Sequence, residues 1–465
     1  MIRTKLAVGV CKLSRKILHL TGRGGTSLPG RLAMMIDPDI LGKVSLGIHV
    51  ILVTGTNGKT TTCRMIQKAL IADQKSCLLN RSGANLLSGI TAEFVCNTDR
   101  KGRPRAAYAV MECDEGALKQ VTSRMTPEVI VVTNLFRDQL DRYGEVMHTR
   151  EEILTGIKAA PESILCLNAD CPLTSSIALD LKETDGQERS SDPKILYYGI
   201  NVPVGSQEKR ELSDARYCMR CGGELDYLSY TYAHLGKYRC PNCGWERPRP
   251  DVAAAQITSM GIDYSEIELE AGGKNHIVRI GLPAEYNIYN ALAAVCAGRA
   301  VDLADDNIIR ALRKVRAPFG RMESFILGKS RIRIILVKNP AGMGQAMEYI
   351  TGSGKPYDIV FCLNDKTADG HDISWIWDTQ PEALLCDPNR RRIWVCGTRA
   401  EDMQLRLKYA GARCEEITLE KNYATLLDQI SARGTNVFIL PNYTSMLEFR
   451  KVLLTKSGGS AFWKG

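Results

Sequence analysis

Runs of continuous apolar residues alternate with amphipathic stretches along most of this chain. The first four runs are "HVILVTG", "AAYAVMEC", "EVIVVTNL" and "ESILCLNAD", and a helical pattern starts near Lys59 after the first of them. Strands that are apolar at every position are buried on both faces, which is typical of a parallel sheet covered by helices. The pattern therefore predicts an α/β fold built on a parallel-rich sheet.

A second series of the same kind follows "RAPFGRME". It comprises the apolar runs "RIRIILVKN", "DIVFCLN", "RRIWVCGT" and "NVFILPN". A chain of 465 residues is too long for one hydrophobic core. We predict an N-terminal basic arm or helix over 1–45, a central domain over 46–316, and a second, C-terminal α/β domain over 317–465. The boundary is placed at Ala317-Pro318.

Paired cysteines interrupt the alternation between about 200 and 255. "CMRC" contains Cys218 and Cys221, "CPNC" contains Cys240 and Cys243, and eighteen residues separate the two pairs. Two such pairs at this spacing supply four thiolates for a tetrahedral Zn²⁺ site. We predict a structural zinc ribbon inserted at about 214–248. Because all four ligands are thiolates, the site is expected to be closed and non-catalytic.

The composition, 44% hydrophobic and 24% charged, is that of a soluble protein. A net charge of +9 permits an anionic substrate or a membrane surface without indicating nucleic acid. No apolar run reaches the roughly 18 residues of a membrane span, and no signal peptide is evident. Twelve of the sixteen cysteines are dispersed singly, which is typical of a reducing compartment, so we expect a cytoplasmic protein.

The first twenty residues, "MIRTKLAVGVCKLSRKILHL", predict an amphipathic helix that packs on the body of the protein. No Asp or Glu precedes Asp37. This charge pattern permits a weak attraction to anionic lipid, and therefore a position at the inner face of the membrane.

The stretch "VTGTNGKTTT" joins an apolar strand to a helix. Its small residues let backbone N–H groups approach phosphate oxygens, and the N-terminus of a helix favours anions. Lys59 can reach the β- and γ-phosphates of a nucleotide, and the hydroxyl of Thr60 or Thr61 can hold Mg²⁺. The usual pattern has Gly five positions before the Gly-Lys pair, where this chain has Val53. The sequence thus predicts a variant phosphate loop (P-loop) comprising Gly55, Thr56, Asn57, Gly58, Lys59, Thr60 and Thr61.

A carboxylate at the end of the next strand is a candidate Mg²⁺ ligand. Glu112 closes "AAYAVME", where it can bind the ion directly or through water. Asp114 and Glu115 are alternatives that the sequence leaves open. An acid at such a position is also commonly a solvated residue or a helix cap.

Several motifs together resemble the Mur ligase family of ATP-dependent peptide-bond-forming enzymes. They are "GTNGKTTT", "VMECDEG", "TNLFRDQLDRYGE", "LNADCP" and "YNIYNALAA". The four-cysteine insert, "LVKNPAG" and "LNDKTADGHDISWIWD" narrow the resemblance to the branch that amidates lipid II in bacteria. The resemblance implies that ATP phosphorylates the α-carboxylate of D-glutamate in the lipid II stem peptide and that ammonia attacks the acyl phosphate. It also implies a heterodimer with the glutaminase subunit GatD, which supplies the ammonia.

The resemblance also implies roles for particular residues. Lys59, Thr60 and Glu112 fall on the nucleotide and Mg²⁺ residues of the family, so the central domain is expected to bind ATP. Asn290 falls on an asparagine that contacts the nucleotide, and Arg321 in "GRME" on an arginine that meets phosphate. These assignments add Mg²⁺ and ATP to the Zn²⁺ predicted above.

The stretch "ADGHDISWIWD" combines acids with tryptophans. Asp372 falls on the aspartate that reaches the glutaminase, where an acid supplied in trans would complete a Cys-His-acid triad. The neighbouring Asp365 and Asp369 are expected to shape turns, and His371 is expected to be a loop residue. Trp375 and Trp377 have the i, i+2 spacing of one strand face or of a wall that packs on a partner.

Two features depart from the family pattern and leave alternatives open. Gln139 stands where many Mur ligases have a metal-binding histidine, and no lysine that could be carbamylated lies in the roughly ten residues after that motif, so a second Mg²⁺ site is in doubt. One alternative is a stand-alone Mur or folylpolyglutamate-type amino-acid ligase. Another is a non-catalytic zinc-ribbon protein that binds nucleic acid; against it, the best basic run near the cysteines is "ERPRP", without a stacking array.

Overall fold

The computed structural model of the protein describes residues 2–20, 27–80, 83–99, 102–137, 146–183, 194–204, 207, 214–261, 263–316 and 321–457. The chain folds as two compact units. The first comprises the described residues up to Phe136 and from Val146 to Arg316, and the second contains those beyond Arg316. Within the described ranges, no helix is both long and apolar enough to cross a bilayer.

The first unit is built on a twisted sheet that is nine strands wide in the described residues. The strands of this sheet are β1 (His49–Thr54), β2 (Cys77–Leu79), β3 (Tyr108–Glu112), β4 (Val129–Val132), β5 (Ile164–Asn168), β6 (Ile195–Ile200), β9 (Val252–Met260), β10 (Ser265–Ala271) and β11 (Lys274–Ile280). A separate hairpin comprises β7 (Asp226–Tyr232) and β8 (Leu235–Arg239). The strand order is β11-β10-β9-β6-β5-β4-β1-β3-β2. The seven strands from β9 to β2 in this order run parallel. This confirms the predicted parallel-rich α/β sheet.

The remaining part of that sheet differs from the sequence interpretation. Strands β9, β10 and β11 form an antiparallel ladder over 252–280, which the sequence analysis did not predict. In β10 the buried residues strictly alternate with partly exposed ones. Such alternation is typical of an antiparallel sheet with one face in solvent, and it separates this edge of the sheet from the continuously buried strands beside it.

Helices of the first unit are α1 (Ile2–Leu20), α2 (Leu28–Ile36), α3 (Ile40–Ser45), α4 (Lys59–Ala72), α5 (Leu87–Cys96), α6 (Leu118–Thr122), α7 (Val146–Lys158), α8 (Pro172–Ser175), α9 (Ile177–Glu183), α10 (Glu285–Ala300) and α11 (Asp305–Arg313). Helix α4 packs against β2 and β3, α10 packs against β5, β6 and β9, and the two helices contact each other. Helix α10 is buried on almost every side, which explains why "YNIYNALAAVCAGRA" is apolar around its whole circumference. This packing carries α10 directly beside the start of α4.

The second unit has a six-stranded sheet in the described residues, in the order β12-β13-β17-β14-β15-β16. Its strands are β12 (Arg321–Leu327), β13 (Ser330–Ile335), β14 (Tyr357–Cys362), β15 (Arg390–Cys396), β16 (Ile417–Leu419) and β17 (Asn436–Pro441). All are parallel to their neighbours except the edge strand β12. Its helices are α12 (Pro340–Thr351), α13 (Glu382–Cys386), α14 (Ala400–Tyr409), α15 (Tyr423–Ser431) and α16 (Tyr443–Ser457).

Candidate functional site

The loop between β1 and α4 is shaped by two glycines in the left-handed region. Gly55 has φ +112° and Gly58 has φ +88°. A Cβ atom on Gly55 would lie 2.4 Å from the hydroxyl of Thr133, and one on Gly58 would lie 2.1 Å from Oδ1 of Asn290. Only glycine can combine this backbone conformation with such close approach. The predicted P-loop therefore brings β1, the end of β4 and helix α10 together at one point.

Lys59 begins α4 and is buried. Its ammonium donates to the carbonyl of Gly55 at 2.6 Å and to Oε1 of Glu115 at 2.8 Å, and it forms a longer contact of 3.4 Å to the carbonyl of Thr56. Burial alone lowers the pKa of Lys59, but the carboxylates of Glu115 and Glu112 outweigh it, so the pKa lies above its ordinary value. The lysine is therefore charged at neutral pH and points into the loop.

Thr60 and Glu112 lie on the same side of this loop. The Thr60 hydroxyl donates to Oε2 of Glu112 at 2.7 Å. Asn80 fixes the backbone of Glu112 by two hydrogen bonds, of 2.8 Å to its carbonyl and 2.9 Å from its N–H. A hydroxyl and a carboxylate so close together are the oxygen ligands that Mg²⁺ prefers. The two groups that the sequence singled out for Mg²⁺ are thus adjacent.

The alternatives to Glu112 occupy different places. Glu115 is buried and forms the ion pair with Lys59. Asp114 is also buried, and it precedes a short 3₁₀ helix, Glu115–Ala117. The structure therefore distinguishes three acids that the sequence could not rank: one contacts the threonine, one contacts the lysine, and one precedes the helix.

Asn290 lies near the start of α10 and accepts a hydrogen bond from Thr62 at 3.4 Å. Its own amide donates to Asn287 at 3.1 Å. A residue that the sequence analysis missed, Asn134, brackets Asn57: its Oδ1 accepts from the Asn57 N–H at 3.0 Å and its amide donates to the Asn57 carbonyl at 3.3 Å. Its position directly after the apolar run "EVIVVT" was the available signal, since the carboxyl end of a parallel strand is where such loops meet.

The structure describes the environment of the remaining predicted nucleotide-binding residues only in part. Thr56 and Thr61 are buried, and the Thr56 hydroxyl accepts from the Phe136 N–H at 3.1 Å. Arg321 begins β12 in the second unit, but its side chain lies outside the described part of the chain, and so does Gln139.

The four paired cysteines form one cluster. The Sγ atoms of Cys218, Cys221, Cys240 and Cys243 all lie within 4.8 Å of one another. Two of these distances are 3.6 Å (Cys218 to Cys243) and 3.5 Å (Cys221 to Cys240). Four sulfurs at the usual Zn–S distance of about 2.3 Å on a tetrahedron would be about 3.8 Å apart. The four thiols are therefore close enough to share one Zn²⁺ ion.

Matching turns hold the two halves of this cluster. The Gly222 N–H donates to the Cys218 carbonyl at 2.9 Å, and the Gly244 N–H donates to the Cys240 carbonyl at 3.0 Å. Both glycines have φ near +75°. The hairpin β7–β8 connects the two turns and packs Tyr238 against the cysteines.

A buried carboxylate joins this cysteine module to the core of the first unit. Asp170 follows β5 and is fully buried, and its carboxylate pairs with Arg247, just beyond the second cysteine pair. It also accepts from the Ile200 N–H at 2.8 Å and from the Tyr289 hydroxyl at 2.6 Å. Tyr289 precedes Asn290 in helix α10. One aspartate therefore contacts the cysteine module, the sheet and the helix that lies against the loop.

A second contact links the module to the loop. His234, between β7 and β8, packs its ring 4.6 Å from that of Phe136, whose N–H bonds to Thr56. The imidazole also contacts the thiol of Cys171 at 3.5 Å. Burial alone lowers the pKa of His234, but the Cys171 thiol outweighs it and raises the pKa above its ordinary value.

In the second unit, Asp372 is half-buried and its Oδ1 accepts from the Ser374 N–H at 2.8 Å. Among the described residues, its other carboxylate oxygen accepts no hydrogen bond. The spacing of Trp375 and Trp377 suggested a strand face, but residues Ser374–Asp378 form a 3₁₀ helix. A short helix of this kind has no repeating apolar signal that a sequence could show. Asp372 therefore accepts the first N–H of the 3₁₀ helix that follows it, and among the described residues its other oxygen stays available.

The neighbouring residues anchor this segment to the carboxyl edge of the sheet. Asp365 accepts from the Thr398 hydroxyl at 2.9 Å and from Arg399 at 3.2 Å, and these two bonds lower its pKa. Asp369 accepts from the Thr444 N–H at 2.7 Å, so it caps α16 instead of shaping a turn alone. His371 is exposed and its Nδ1 lies 3.0 Å from the carbonyl of Asp365.

The chain matches known protein families and relatives over most of its length. Two family models match the chain: the Mur ligase middle domain over residues 53–201 and the MurT ligase C-terminal domain over residues 336–446. The chain is 34% identical over 457 residues to the MurT subunit of the glutamine-hydrolysing lipid II isoglutaminyl synthase of Streptococcus pneumoniae, covering 98% of both chains. It is 35% identical over 449 residues to the corresponding subunit of Staphylococcus aureus strain COL, covering 96% of both chains.

Solved structures share the fold at lower identity. A pseudomurein peptide ligase type C from Methanothermus fervidus is 23% identical with a TM-score of 0.65, over 90% of this chain and 80% of that one. The folylpolyglutamate synthase of Mycobacterium tuberculosis is 14% identical with a TM-score of 0.61, over 91% of this chain and 94% of that one. At these identities the likeness concerns the fold alone.

Proposed function

The chain belongs to the MurT family of Mur-type ligases, and on this premise we propose that it amidates the α-carboxylate of D-glutamate in the lipid II stem peptide to D-isoglutamine. It is an ATP-dependent ligase of peptidoglycan synthesis. The observation that carries the proposal is the β1–α4 loop, where Lys59 pairs with Glu115 and the next residue, Thr60, donates to Glu112.

In the proposed reaction, a carboxylate oxygen of D-glutamate is aligned with the γ-phosphorus of ATP and attacks it, so that an acyl phosphate forms and ADP leaves. Lys59 neutralises charge on the phosphates, while Thr60 and Glu112 hold Mg²⁺, which supplies further charge neutralisation. Asn290 and Asn134 keep the loop in position through Thr62 and Asn57. Ammonia then attacks the acyl carbon and phosphate leaves.

The nucleophile in this proposal comes from a glutaminase partner. Ammonia must stay unprotonated, so a docked GatD-type subunit is expected to release it from glutamine directly to the ligase. We assign Asp372 to the partner site: its carboxylate would orient the histidine that activates the catalytic cysteine of the glutaminase. The hydrogen bond from the Ser374 N–H holds one oxygen in place and leaves the other for the partner.

The two remaining assignments complete the proposal. The four cysteines hold a structural Zn²⁺, since the thiols are close enough to share one ion. The enzyme works at the inner face of the bacterial membrane, where its lipid-linked substrate is anchored. Nucleic acid is not a partner.

The test uses Asp372→Asn in the complex with the glutaminase. Amidation of lipid II with glutamine should fall about 10³-fold or more, because a neutral amide neither fixes the tautomer nor stabilises the charged histidine. Amidation with ammonium chloride in place of glutamine should stay near the wild-type rate. Asp378→Asn, at the end of the 3₁₀ helix that follows Asp372, is the matched control and should preserve both activities.

Two results would contradict the proposal. If Asp372→Asn lowers both activities equally, the residue belongs to the ligase site or to folding and the trans assignment is wrong. If the purified chain incorporates an amino acid into the acceptor instead of ammonia, the protein is a stand-alone amino-acid ligase and the amidation itself is wrong.

A further inference from the structure

Helix α1 exposes a row of aliphatic side chains along one face. The row is defined by five residues, with their exposed fractions: Ile2 (85%), Leu6 (57%), Leu13 (61%), Ile17 (52%) and Leu20 (79%). At 100° per residue, all five fall within an arc of about 60°, and the helix carries them over about 27 Å. Large exposed apolar side chains scattered singly are ordinary, but a row along one face of a helix marks an interaction surface.

The opposite face of α1 fixes the helix to the first unit. Ala7, Val8 and Cys11 are buried, and the helix packs against α2 and α5. Arg15 pairs with Glu93 at 3.1 Å, and the Thr4 hydroxyl donates to Asp37 at 2.8 Å. The fold therefore already satisfies one side of the helix, and the aliphatic row points away from it.

Positive charge flanks the row. Lys5 and Lys16 are exposed on the same flank, and Lys12 follows that flank between them, where it donates to the carbonyl of Thr98 at 2.5 Å.

Acids do not cancel this charge. Residues 1–36 contain no Asp or Glu. Of the acids that contact α1, Glu93 is buried against Arg15 and Asp37 is buried against Lys43 at 2.7 Å. Asp99 lies beside Lys12, whose ammonium contacts the Asp99 carbonyl at 3.3 Å, so the uncancelled charge of the flank is that of Lys5 and Lys16. The exposed face of α1 is therefore a row of aliphatic side chains with cations along one edge.

We propose that α1 is a membrane-docking helix that lies in the interface of an anionic phospholipid bilayer, with the aliphatic row inserted and the lysines on the headgroups. The pairing of a narrow apolar face with basic residues is the signature of helices that bind in the plane of anionic membranes. A second copy of this chain is a poorer occupant, because a self-complementary contact would bring the lysines of the two copies together. A protein partner would find no aromatic anchor in the row.

Only the biological role of docking rests on the proposed function: docking would hold the ligase at the membrane surface where its substrate is anchored. The helix surface itself is argued from α1 alone. Membrane binding and amidation can therefore be measured separately and can fail separately.

The experiment is co-sedimentation of the full chain with vesicles of phosphatidylglycerol and phosphatidylcholine, and with vesicles of phosphatidylcholine alone, without lipid II. Wild-type protein should bind the anionic vesicles, bind neutral ones far less, and dissociate as salt is raised. Leu13→Gln with Ile17→Gln should weaken binding roughly tenfold or more, and Lys5→Gln with Lys16→Gln should weaken it by about fivefold per lysine.

The matched control replaces exposed aliphatic residues elsewhere in the same unit, Ile71→Gln with Leu228→Gln, which are 58% and 67% exposed. This control should bind as wild type does, and all variants should melt at the wild-type temperature because the changes are on the surface. A second readout is amidation: the α1 variants should lose rate on vesicle-embedded lipid II and keep it on a detergent-solubilised substrate.

Three outcomes would overturn the membrane assignment: no binding of wild type to anionic vesicles, equal loss in the control, or a wild-type dimer or glutaminase complex that the α1 variants break. In each case normal amidation of solubilised lipid II would leave the proposed function intact. Loss of amidation on every substrate form with normal vesicle binding would instead count against the proposed function.

Discussion

The ion pair of Asp170 and Arg247 is expected to hold the cysteine module on the core, and Asp170→Asn tests this. The side chains of Asp170 and Arg247 are 0% and 7% exposed. The asparagine keeps an oxygen for the Tyr289 hydroxyl but presents an amide toward a buried guanidinium. Arg247 then retains only its bonds of 3.1 Å to Asn201 and 3.1 Å to the Ile200 carbonyl.

Removing one partner of a buried pair costs about 3 to 5 kcal/mol, and the two retained bonds place this case near about 3 kcal/mol. At roughly 2 to 3 °C per kcal/mol for a unit of this size, the melting temperature should fall by roughly 6 to 9 °C. The assay is thermal and denaturant unfolding of Asp170→Asn, Arg247→Met and the double variant. Because the two groups are in contact, the double variant should be more stable than the sum of the single effects predicts, by about 1 to 3 kcal/mol.

An exposed pair nearby is the control. Arg249 and Glu270 lie 3.9 Å apart with side chains 91% and 42% exposed. Glu270→Gln should change the unfolding free energy by less than about 0.5 kcal/mol. If Asp170→Asn is as mild as this control, or if the effects of Asp170→Asn and Arg247→Met simply add, the pair does not hold the module and the reasoning fails.

Three further predictions concern the loop and the cysteine cluster. Lys59→Met should lower amidation about 10²-fold or more, measured as phosphate release, because the phosphates lose their buried cation; normal turnover would exclude Lys59 from the site. The pKa of Lys59 is raised in the folded protein. The stability that this lysine provides is therefore complete below its unfolded pKa of about 10.4 and is lost only as the pH rises through the higher folded pKa. If the difference in unfolding free energy between wild type and Lys59→Met shrinks between pH 7 and 9, this reasoning is contradicted. Cys221→Ser should reduce the zinc content measured by a metal-sensitive dye and lower the melting temperature, whereas Cys386→Ser, another exposed cysteine, should do neither; equal zinc in both variants would refute a four-thiolate site.

The sequence predicted those features that repeat along the chain or sit at fixed spacing. The parallel strands could be predicted because each is apolar throughout. The cysteine cluster could be predicted because its two pairs of cysteines share one spacing. The ladder over 252–280 was missed, although "SEIELEA" alternates in the way an antiparallel strand does. The short 3₁₀ helix at Ser374–Asp378 had no periodic signal to find.

Contacts between distant segments could not be predicted at all. Glu112 and Glu115 are three residues apart, yet one contacts Thr60 and the other Lys59, and only the folded arrangement separates them. Asn134 gave a weak signal by its position after a buried strand. Asp170 stands in the motif "LNADCP", but its contact could not be predicted, since its partner Arg247 lies 77 residues further along the chain.

The pairing of Lys59 with Glu115 also determines how the loop chooses among anions. The ammonium already has a carboxylate partner at 2.8 Å, in a buried place where that partnership is strong. A phosphate that pairs with Lys59 must displace the carboxylate of Glu115. Its measured affinity is therefore the difference between the free energies of two ion pairs and not the full free energy of one. Simple anions such as inorganic phosphate, which bring little else to the exchange, should compete poorly, whereas a nucleotide that engages the magnesium and the backbone at the same time can prevail. The loop thereby sets a threshold for occupancy, and that threshold can be lowered by changing a single glutamate.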